Sequence, residues 1–163
     1  MKEIQMLKPS RILALDPGHT IGFALLDYEY TVAPVIINAG QVKLVMDDGR
    51  SSFNWRAVSL SVAQFSDFEP DVIVLEDYRV YLNKADIHIG LRCLTSELIG
   101  AICQEAAISE IPVIRLMAGV KRNWPIARMN SRYPAYKSVP KPHALDALLL
   151  ALYYIEKTLG WIP

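Results

Sequence analysis

Three carboxylates and one imidazole, widely separated in the sequence, stand where they could form one reactive site. Asp16 ends the apolar run ILALD, Glu76 ends VIVLE, and His143 and Asp146 lie three residues apart in HALD. Carboxylate oxygens are the ligands that hard divalent cations such as Mg²⁺ prefer, and an imidazole nitrogen also suits Mn²⁺. Two such cations, about 3.5–4 Å apart, can stabilise both the attacking and the leaving oxygen of a phosphodiester. These four residues therefore predict a two-metal catalytic site.

The four side chains would have different roles in such a site. Asp16 would bridge the two ions, Glu76 would hold one and Asp146 the other, while His143 would ligate an ion or deprotonate a water. Each residue also has a plainer explanation: a turn for Asp16, a solvated strand end for Glu76, and a helix start for His143 and Asp146. Their joint placement favours the functional interpretation.

The predicted elements bring these side chains together. Apolar runs bounded by turn signals predict strands over 11–15, 21–28, 35–45, 72–75 and 113–116. Helical periodicity predicts helices over 55–68, 87–107, 126–131 and 142–159, the first of them capped by Asn54. A hairpin followed by helical crossovers implies a mixed sheet with helices on both faces. The first and fourth strands would be parallel neighbours, so Asp16 and Glu76 would meet at the edge where ligands bind in such sheets.

Basic residues are concentrated just before His143. The chain has 17 Lys and Arg and 17 Asp and Glu, yet residues 111–145 hold seven of the basic residues and none of the acidic ones. Such a stretch could guide a polyanion to the acidic site, although a solvated, proline-rich connector is the plainer explanation. The nucleic-acid contacts predicted within it are Lys121, Arg122, Arg128, Arg132, Lys137 and Lys141.

A second group of predicted nucleic-acid contacts follows Glu76. Tyr78 and Tyr81 could stack on unpaired bases, and Arg79 between them could contact phosphate. Ordinary loop packing of the two tyrosines explains the pattern equally well.

Composition bounds the kind of protein. A chain of 163 residues with 52% hydrophobic residues favours one globular domain spanning 1–163. The sequence shows neither a signal-peptide pattern nor an uninterrupted membrane-spanning run, so we expect a cytoplasmic protein. Cys93 and Cys103 fall in one predicted helix, about 15 Å apart along its axis, so we expect reduced core thiols.

Three segments resemble the motifs of one nuclease family. ILALDPGHTIGFALL, VIVLED and HALDALLLAL are similar to the first, second and last motifs of the RuvC-type Holliday junction resolvases, within the RNase H-like superfamily. The resemblance implies an α/β domain with a five-stranded mixed sheet of order 3-2-1-4-5, strand 2 antiparallel, and helices on both faces. It also implies that Asp16, Glu76, His143 and Asp146 are the metal-binding catalytic residues. It further implies a homodimer in which each subunit, with Mg²⁺ or Mn²⁺, nicks one strand of a four-way DNA junction.

One segment departs from that family, and other functions stay open. KRNWPIARMNSRYPAYKSVPKP replaces the glycine-rich basic stretch usual in bacterial members, which leaves cleavage of forks and other branched DNA open. The alternatives are an RNase H-like nuclease acting on structured RNA and a non-catalytic nucleic-acid-binding module. An actin-like ATPase, which shares a similar first hairpin, needs two such domains and is disfavoured by length.

Overall fold

The computed structural model describes residues 10–44, 53–78, 93–117, 119–120, 124, 126–134, 136, 139 and 142–161. Several predictions fall outside these ranges and stay predictions. They concern the turn at 47–49, the start of the helix expected over 87–107, and six candidate nucleic-acid contacts: Arg79, Tyr81, Lys121, Arg122, Lys137 and Lys141.

The described part of the chain contains the strands β1 (Ser10–Asp16), β2 (Thr20–Glu29), β3 (Val32–Lys43), β4 (Val72–Asp77) and β5 (Val113–Met117). They form a five-stranded sheet in the order β3-β2-β1-β4-β5. β2 runs antiparallel to β1 and β3, whereas β4 runs parallel to β1 and β5. The predicted strand order and the antiparallel second strand are therefore confirmed.

Helices cover both faces of this sheet, as predicted. They are α1 (Trp55–Ser66), α2 (Leu94–Ile108), α3 (Ile126–Arg132) and α4 (His143–Lys157). Asn54 caps α1 as expected, since its side-chain oxygen accepts a hydrogen bond of 3.2 Å from the backbone N–H of Ala57. Among the described helices, none combines the length and apolar character needed to cross a bilayer.

Alternation along the strands separates two cores. Ile12, Ala14, Val72 and Val74 belong to the cluster that includes most of α4. Leu13, Leu15, Ile73 and Leu75 belong instead to the cluster formed with α1 and α2. Because successive strand residues point to opposite faces, Asp16 and Glu76 continue the first series and fall on the α4 face.

The basic connector before α4 is not merely solvated. Trp124, Met129 and Tyr133 are buried in the α4-face cluster, and the Tyr133 ring stacks against Tyr136 and Trp161. Tyr136 also donates a hydrogen bond to the backbone carbonyl of Pro34 in β3. The described aromatic residues of this segment therefore belong to the hydrophobic core, where their large rings bury apolar area.

The prediction for the cysteines is partly wrong. Both are free thiols, as expected, and each is half-buried; Cys103 packs against the α1–α2 core, as predicted, whereas Cys93 lies outside that cluster. Cys93 precedes α2 and lies 3.2 Å from the Ser96 hydroxyl, while the Cys103 sulfur lies 3.5 Å from the guanidinium of Arg115.

Candidate active site

Asp16 and Glu76 lie side by side on adjacent parallel strands. Leu15 pairs with Leu75 in the β1–β4 register, and the next residue of each strand is the carboxylate. Parallel neighbours in a sheet are about 4.8 Å apart, so both side chains leave the same face at the same level. Both strands are longer than predicted, and the two acids belong to them rather than following them. Asp16 is buried, and Glu76 is half-buried.

His143 reaches Asp16 from the other end of the chain. Its Nδ1 lies 3.1 Å from Oδ2 of Asp16, although 127 residues separate them. The Asp16 side chain is 11% exposed and that of His143 is 37% exposed, so the pair lies near the protein surface and the carboxylate is the more deeply buried partner. A proton on Nδ1 would be donated to Asp16, and Nε2 would then carry the lone pair that can accept a proton or coordinate a cation.

Gly22 permits this contact, and the sequence analysis missed it. Gly22 is the residue of β2 that pairs with Asp16. A Cβ built on Gly22 would overlap the backbone carbonyl of His143, so the first turn of α4 rests directly on the β2 backbone. The signal was present in DPGHTIG, where a glycine inside a strand often marks a close backbone approach.

Asp146 lies in the first turn of α4 beside His143. It is half-buried, and its backbone N–H donates a 3.1 Å hydrogen bond to the carbonyl of Pro142. Residues three apart share a helical face, so Asp146 is adjacent to His143 along α4. A carboxylate here also stabilises the positive end of the helix.

The donor set fits a hard divalent cation in chemistry and in backbone placement. Three carboxylates and an imidazole come from β1, β4 and the first turn of α4, which meet at one edge of the sheet. Within the described ranges, however, no three His, Cys, Asp or Glu side chains are grouped closely enough to hold a metal ion. Glu76 and Asp146 would therefore have to turn toward Asp16 for these side chains to share an ion.

Asp77 faces away from this site. It lies one residue beyond Glu76 in β4, and its carboxylate is 3.6 Å from the guanidinium of Arg115. Arg115 in turn contacts Cys103 of α2, on the opposite face from α4. Asp77 is therefore not placed to join Glu76 and Asp16 on the α4 face.

The described nucleic-acid candidates have partners within the protein. Tyr78 packs against the α1–α2 core, and burial, followed by the neighbouring Cys93, raises its pKa. Arg128 and Arg132 both lie beside the carboxylate of Glu156. Contact of these three residues with nucleic acid stays a prediction.

Glu156 is a second residue that the sequence analysis missed. Its side chain is only 4% exposed, and it accepts hydrogen bonds from Trp124 Nε1 at 3.1 Å, Tyr133 Oη at 3.2 Å and Arg132 at 2.8 Å. The available signal was its spacing, because Glu156 follows Leu149 and Leu152 at the seven- and four-residue intervals of a buried helical face. A carboxylate at such a position needs buried donors.

Comparison with known proteins identifies the fold. No protein-family model matches the chain, and no curated protein matches it by sequence. Thermus thermophilus RuvC in complex with a Holliday junction substrate matches with a TM-score of 0.67 and 20% identity, over 92% of this chain and 96% of that one. The yeast mitochondrial Holliday junction resolvase Ydc2 matches with a TM-score of 0.59 and 14% identity, over 94% and 80%. Fowlpox virus resolvase with its Holliday junction DNA matches at 0.57 and 17%, over 91% and 99%. The chain therefore has the RNase H-like fold of these proteins.

Proposed function

We propose that the protein is a structure-selective endodeoxyribonuclease that resolves Holliday junctions or other branched DNA by metal-dependent hydrolysis. The observation that carries the proposal is the contact between Asp16 Oδ2 and His143 Nδ1, at the level of the sheet where Glu76 stands beside Asp16. That convergence needs the whole fold, since β1 and α4 lie at opposite ends of the sequence. Likeness to junction-resolving proteins over more than 90% of the chain supports the substrate class.

The four side chains are proposed to hold two divalent cations, Mg²⁺ or Mn²⁺. Bound there, the ions would stabilise the attacking and leaving oxygens of the phosphodiester. Asp16 is the fixed member of the set, because it is buried between β2 and β4 at the end of β1. Glu76 and Asp146 extend the carboxylate set from β4 and α4.

His143 is proposed to act through Nε2. With Nδ1–H directed at Asp16, the carboxylate fixes the ring orientation and the tautomer. Nε2 can then ligate a cation or take a proton from the attacking water. In both roles Nδ1 stays hydrogen-bonded to the buried carboxylate of Asp16. The hydrogen bond to Asp16 would therefore hold the His143 ring in position before substrate binds.

The proposed enzyme acts as a homodimer. Each subunit offers one set of catalytic side chains, so paired nicks in two strands require two copies. Sedimentation equilibrium should report a species of about twice the 18.3 kDa chain mass. A monomer at the concentrations that support paired nicking would contradict this part of the proposal.

A substrate panel tests the function. End-labelled four-way junction, three-way junction, flap, linear duplex and RNA-containing junction are incubated with the protein in Mg²⁺ or Mn²⁺. The proposal expects paired nicks in the branched DNA substrates and much slower cutting of linear duplex. Equal cutting of linear duplex would contradict structure selectivity, while faster cutting of the RNA-containing substrates would favour an RNA-processing nuclease instead.

A further inference from the structure

Two arginines one helical turn apart share a single buried carboxylate. Arg128 and Arg132 lie four residues apart on α3, and both approach Glu156 near the end of α4. Their side chains are equally exposed, 35% for Arg128 and 34% for Arg132. The two arginines are therefore equally buried, and they differ instead in their hydrogen bonding to Glu156.

Both lone pairs of Glu156 Oε2, the oxygen that Arg128 approaches, are used by other residues. Oε2 accepts from Trp124 Nε1 at 3.1 Å and from Arg132 at 2.8 Å, whereas Oε1 accepts from the Tyr133 hydroxyl at 3.2 Å. The guanidinium of Arg128 stands 3.7 Å from Oε2, which is beyond hydrogen-bond distance. A carboxylate oxygen offers two lone pairs, so Oε2 has no further acceptor site for Arg128.

The surroundings of Arg128 orient its guanidinium without satisfying its donors. The guanidinium carbon lies 5.8 Å from the centroid of the Trp124 ring, a distance typical of a cation–π contact. Trp124 is fully buried and is hydrogen-bonded to Glu156, so its ring is a fixed platform. Among residues that the structure describes, none forms a hydrogen bond with the guanidinium of Arg128, and this planar group keeps the donor geometry that matches phosphate.

The charge balance around Glu156 also distinguishes Arg128 from Arg132. Arg132 neutralises the buried carboxylate at hydrogen-bond distance, which leaves Arg128 as the surplus positive charge of the group. We propose that Glu156 is a positioning residue: it fixes Arg132 as a structural anchor and holds Arg128, over Trp124, as a contact for a backbone phosphate of duplex DNA. The identity of the ligand rests on the proposed function, since phosphate is the acceptor that a DNA substrate supplies.

The position of Arg128 predicts an effect on binding rather than on the chemical step. Glu156 follows His143 by 13 residues of α4, which places it about 20 Å along the helix from the candidate active site. A phosphate held there belongs to a duplex arm away from the scissile bond. Loss of the contact should weaken binding of the junction, so cleavage should fall most at protein concentrations below the wild-type Kd and should recover as the protein concentration is raised.

Binding of the full-length protein to a labelled four-way junction, measured across a salt series in Ca²⁺, tests the division of roles. Arg128→Ala should lower affinity and make the slope of log Kobs against log salt less steep by about 0.9, the value for one phosphate contact. Its Tm should stay within about 2 °C of the wild-type value, because no hydrogen bond is lost. Arg128→Lys should keep most of the slope, and Lys157→Ala, at an exposed residue next to Glu156, should change it less.

Arg132→Ala should behave in the opposite way. It removes the hydrogen-bonded partner of a buried carboxylate, so Tm should fall by about 5 °C or more, while the salt slope measured well below Tm stays near the wild-type value. Equal slopes for Arg128→Ala and wild type, or a larger slope change in Arg132→Ala than in Arg128→Ala, would overturn the division of roles.

The Glu156→Gln variant distinguishes a positioning role of Glu156 from a simple effect of its negative charge on DNA binding. The variant is more positive by one charge, so electrostatic attraction alone predicts tighter binding to DNA. The positioning role predicts weaker binding with a lower Tm, because an amide cannot accept from all the donors that face it. Tighter binding by Glu156→Gln would overturn the positioning role.

These readouts are independent of cleavage. A protein that binds DNA through Arg128 but cuts no branched substrate would contradict the proposed function and leave this inference intact. If the protein cuts junctions but Arg128→Ala leaves the salt slope unchanged, this inference would be contradicted and the proposed function would stand.

Discussion

The backbone carbonyl of His143 occupies the space that a side chain at residue 22 would need. Gly22 pairs with Asp16 across the β1–β2 hairpin, so the first turn of α4 is seated one strand away from the buried carboxylate. This contact between strand backbone and helix start determines how closely His143 approaches Asp16. It also makes Gly22 a positioning residue for the candidate site, although it supplies no reactive group.

Gly22→Ala should therefore impair the site more than the fold. The added methyl must push the start of α4 away from β2, which we expect to cost about 1–3 kcal/mol of stability. A displacement near 1 Å can lower a cleavage rate by about 100-fold. Single-turnover junction cleavage and thermal unfolding measure the two effects, with Gly18→Ala as the control.

Gly18 is a suitable control because a Cβ there would make only an ordinary 3.4 Å contact with the carbonyl oxygen of Thr20. Gly18 lies in the turn between β1 and β2, four residues before Gly22, and Gly18→Ala should retain activity. Wild-type cleavage by Gly22→Ala would show that the close approach of α4 is unimportant for the chemistry.

Neighbouring carboxylates on β4 should have opposite mutational phenotypes. Glu76→Gln should abolish cleavage while junction binding is retained, because Glu76 stands beside Asp16 on the α4 face. Asp77→Asn should retain cleavage and lower the free energy of unfolding by less than about 1 kcal/mol. Asp77 forms an ion pair with Arg115 on the other face of the sheet, and the Arg115 side chain is 50% exposed. If Asp77→Asn were the inactive variant, the assignment of faces at the end of β4 would be wrong.

Replacement of His143 should reveal what Nε2 does. His143→Ala removes both ring nitrogens and should lower cleavage, whereas His143→Asp supplies oxygen ligands and should keep activity with a preference for Mg²⁺ over Mn²⁺. Cleavage rates in each metal measure the shift. His19→Ala is the control, since His19 is an exposed histidine in the nearby turn. An unimpaired His143→Ala variant would place His143 outside the reaction.

Alkaline pH should destabilise the fold through buried phenols around Glu156. Burial raises the pKa of Tyr133 above its usual value, and the carboxylate of Glu156 raises it further. The folded state then keeps a proton that the unfolded chain loses near pH 10. Stability from this group is therefore intact below about pH 10 and is lost as pH rises toward the folded-state pKa, by up to about 1.4 kcal/mol per pH unit.

Tyr133→Phe should make that alkaline decline shallower. It should also cost about 1 kcal/mol at neutral pH, because the hydroxyl that donates to Glu156 is lost. Urea unfolding from pH 8 to pH 11 measures both effects. Tyr30→Phe, at a 57% exposed tyrosine, is the matched control and should leave the decline unchanged. An identical decline in Tyr133→Phe and wild type would exclude Tyr133 as its source.

Sequence patterns predicted the elements that depend on local chemistry. Each of three local patterns favours one kind of structure, and each structure is observed. Asn54 caps a helix, Asp16-Pro17-Gly18 leads into the β1–β2 turn, and the continuous apolar run of β4 forms a central strand. The meeting of Asp16 with Glu76 followed from strand order, and the pairing of His143 with Asp146 on one helical face followed from their spacing. The strand order and the neighbouring positions of Asp16 and Glu76 on β1 and β4 could therefore be predicted from the sequence.

Contacts between distant segments were not accessible in the same way. Nothing local distinguishes Arg132 beside a buried carboxylate from an arginine facing solvent, because the partner Glu156 lies 24 residues further on. The burial of Trp124 depends equally on the end of α4. The same reason explains why Gly22 escaped notice, since the backbone that needs its space belongs to His143.

The most direct measurement of the central claim compares wild-type protein and Asp16→Asn on a labelled four-way DNA junction, with binding and nicking followed in the same reaction. Asn preserves the shape of the buried side chain and removes the charge that a divalent cation requires. We expect metal-dependent paired nicks by the wild type, and junction binding without nicks by Asp16→Asn. Unaltered nicking by Asp16→Asn, or the absence of any nicking by the wild type in Mg²⁺ and Mn²⁺, would contradict a metal-dependent nuclease site at Asp16.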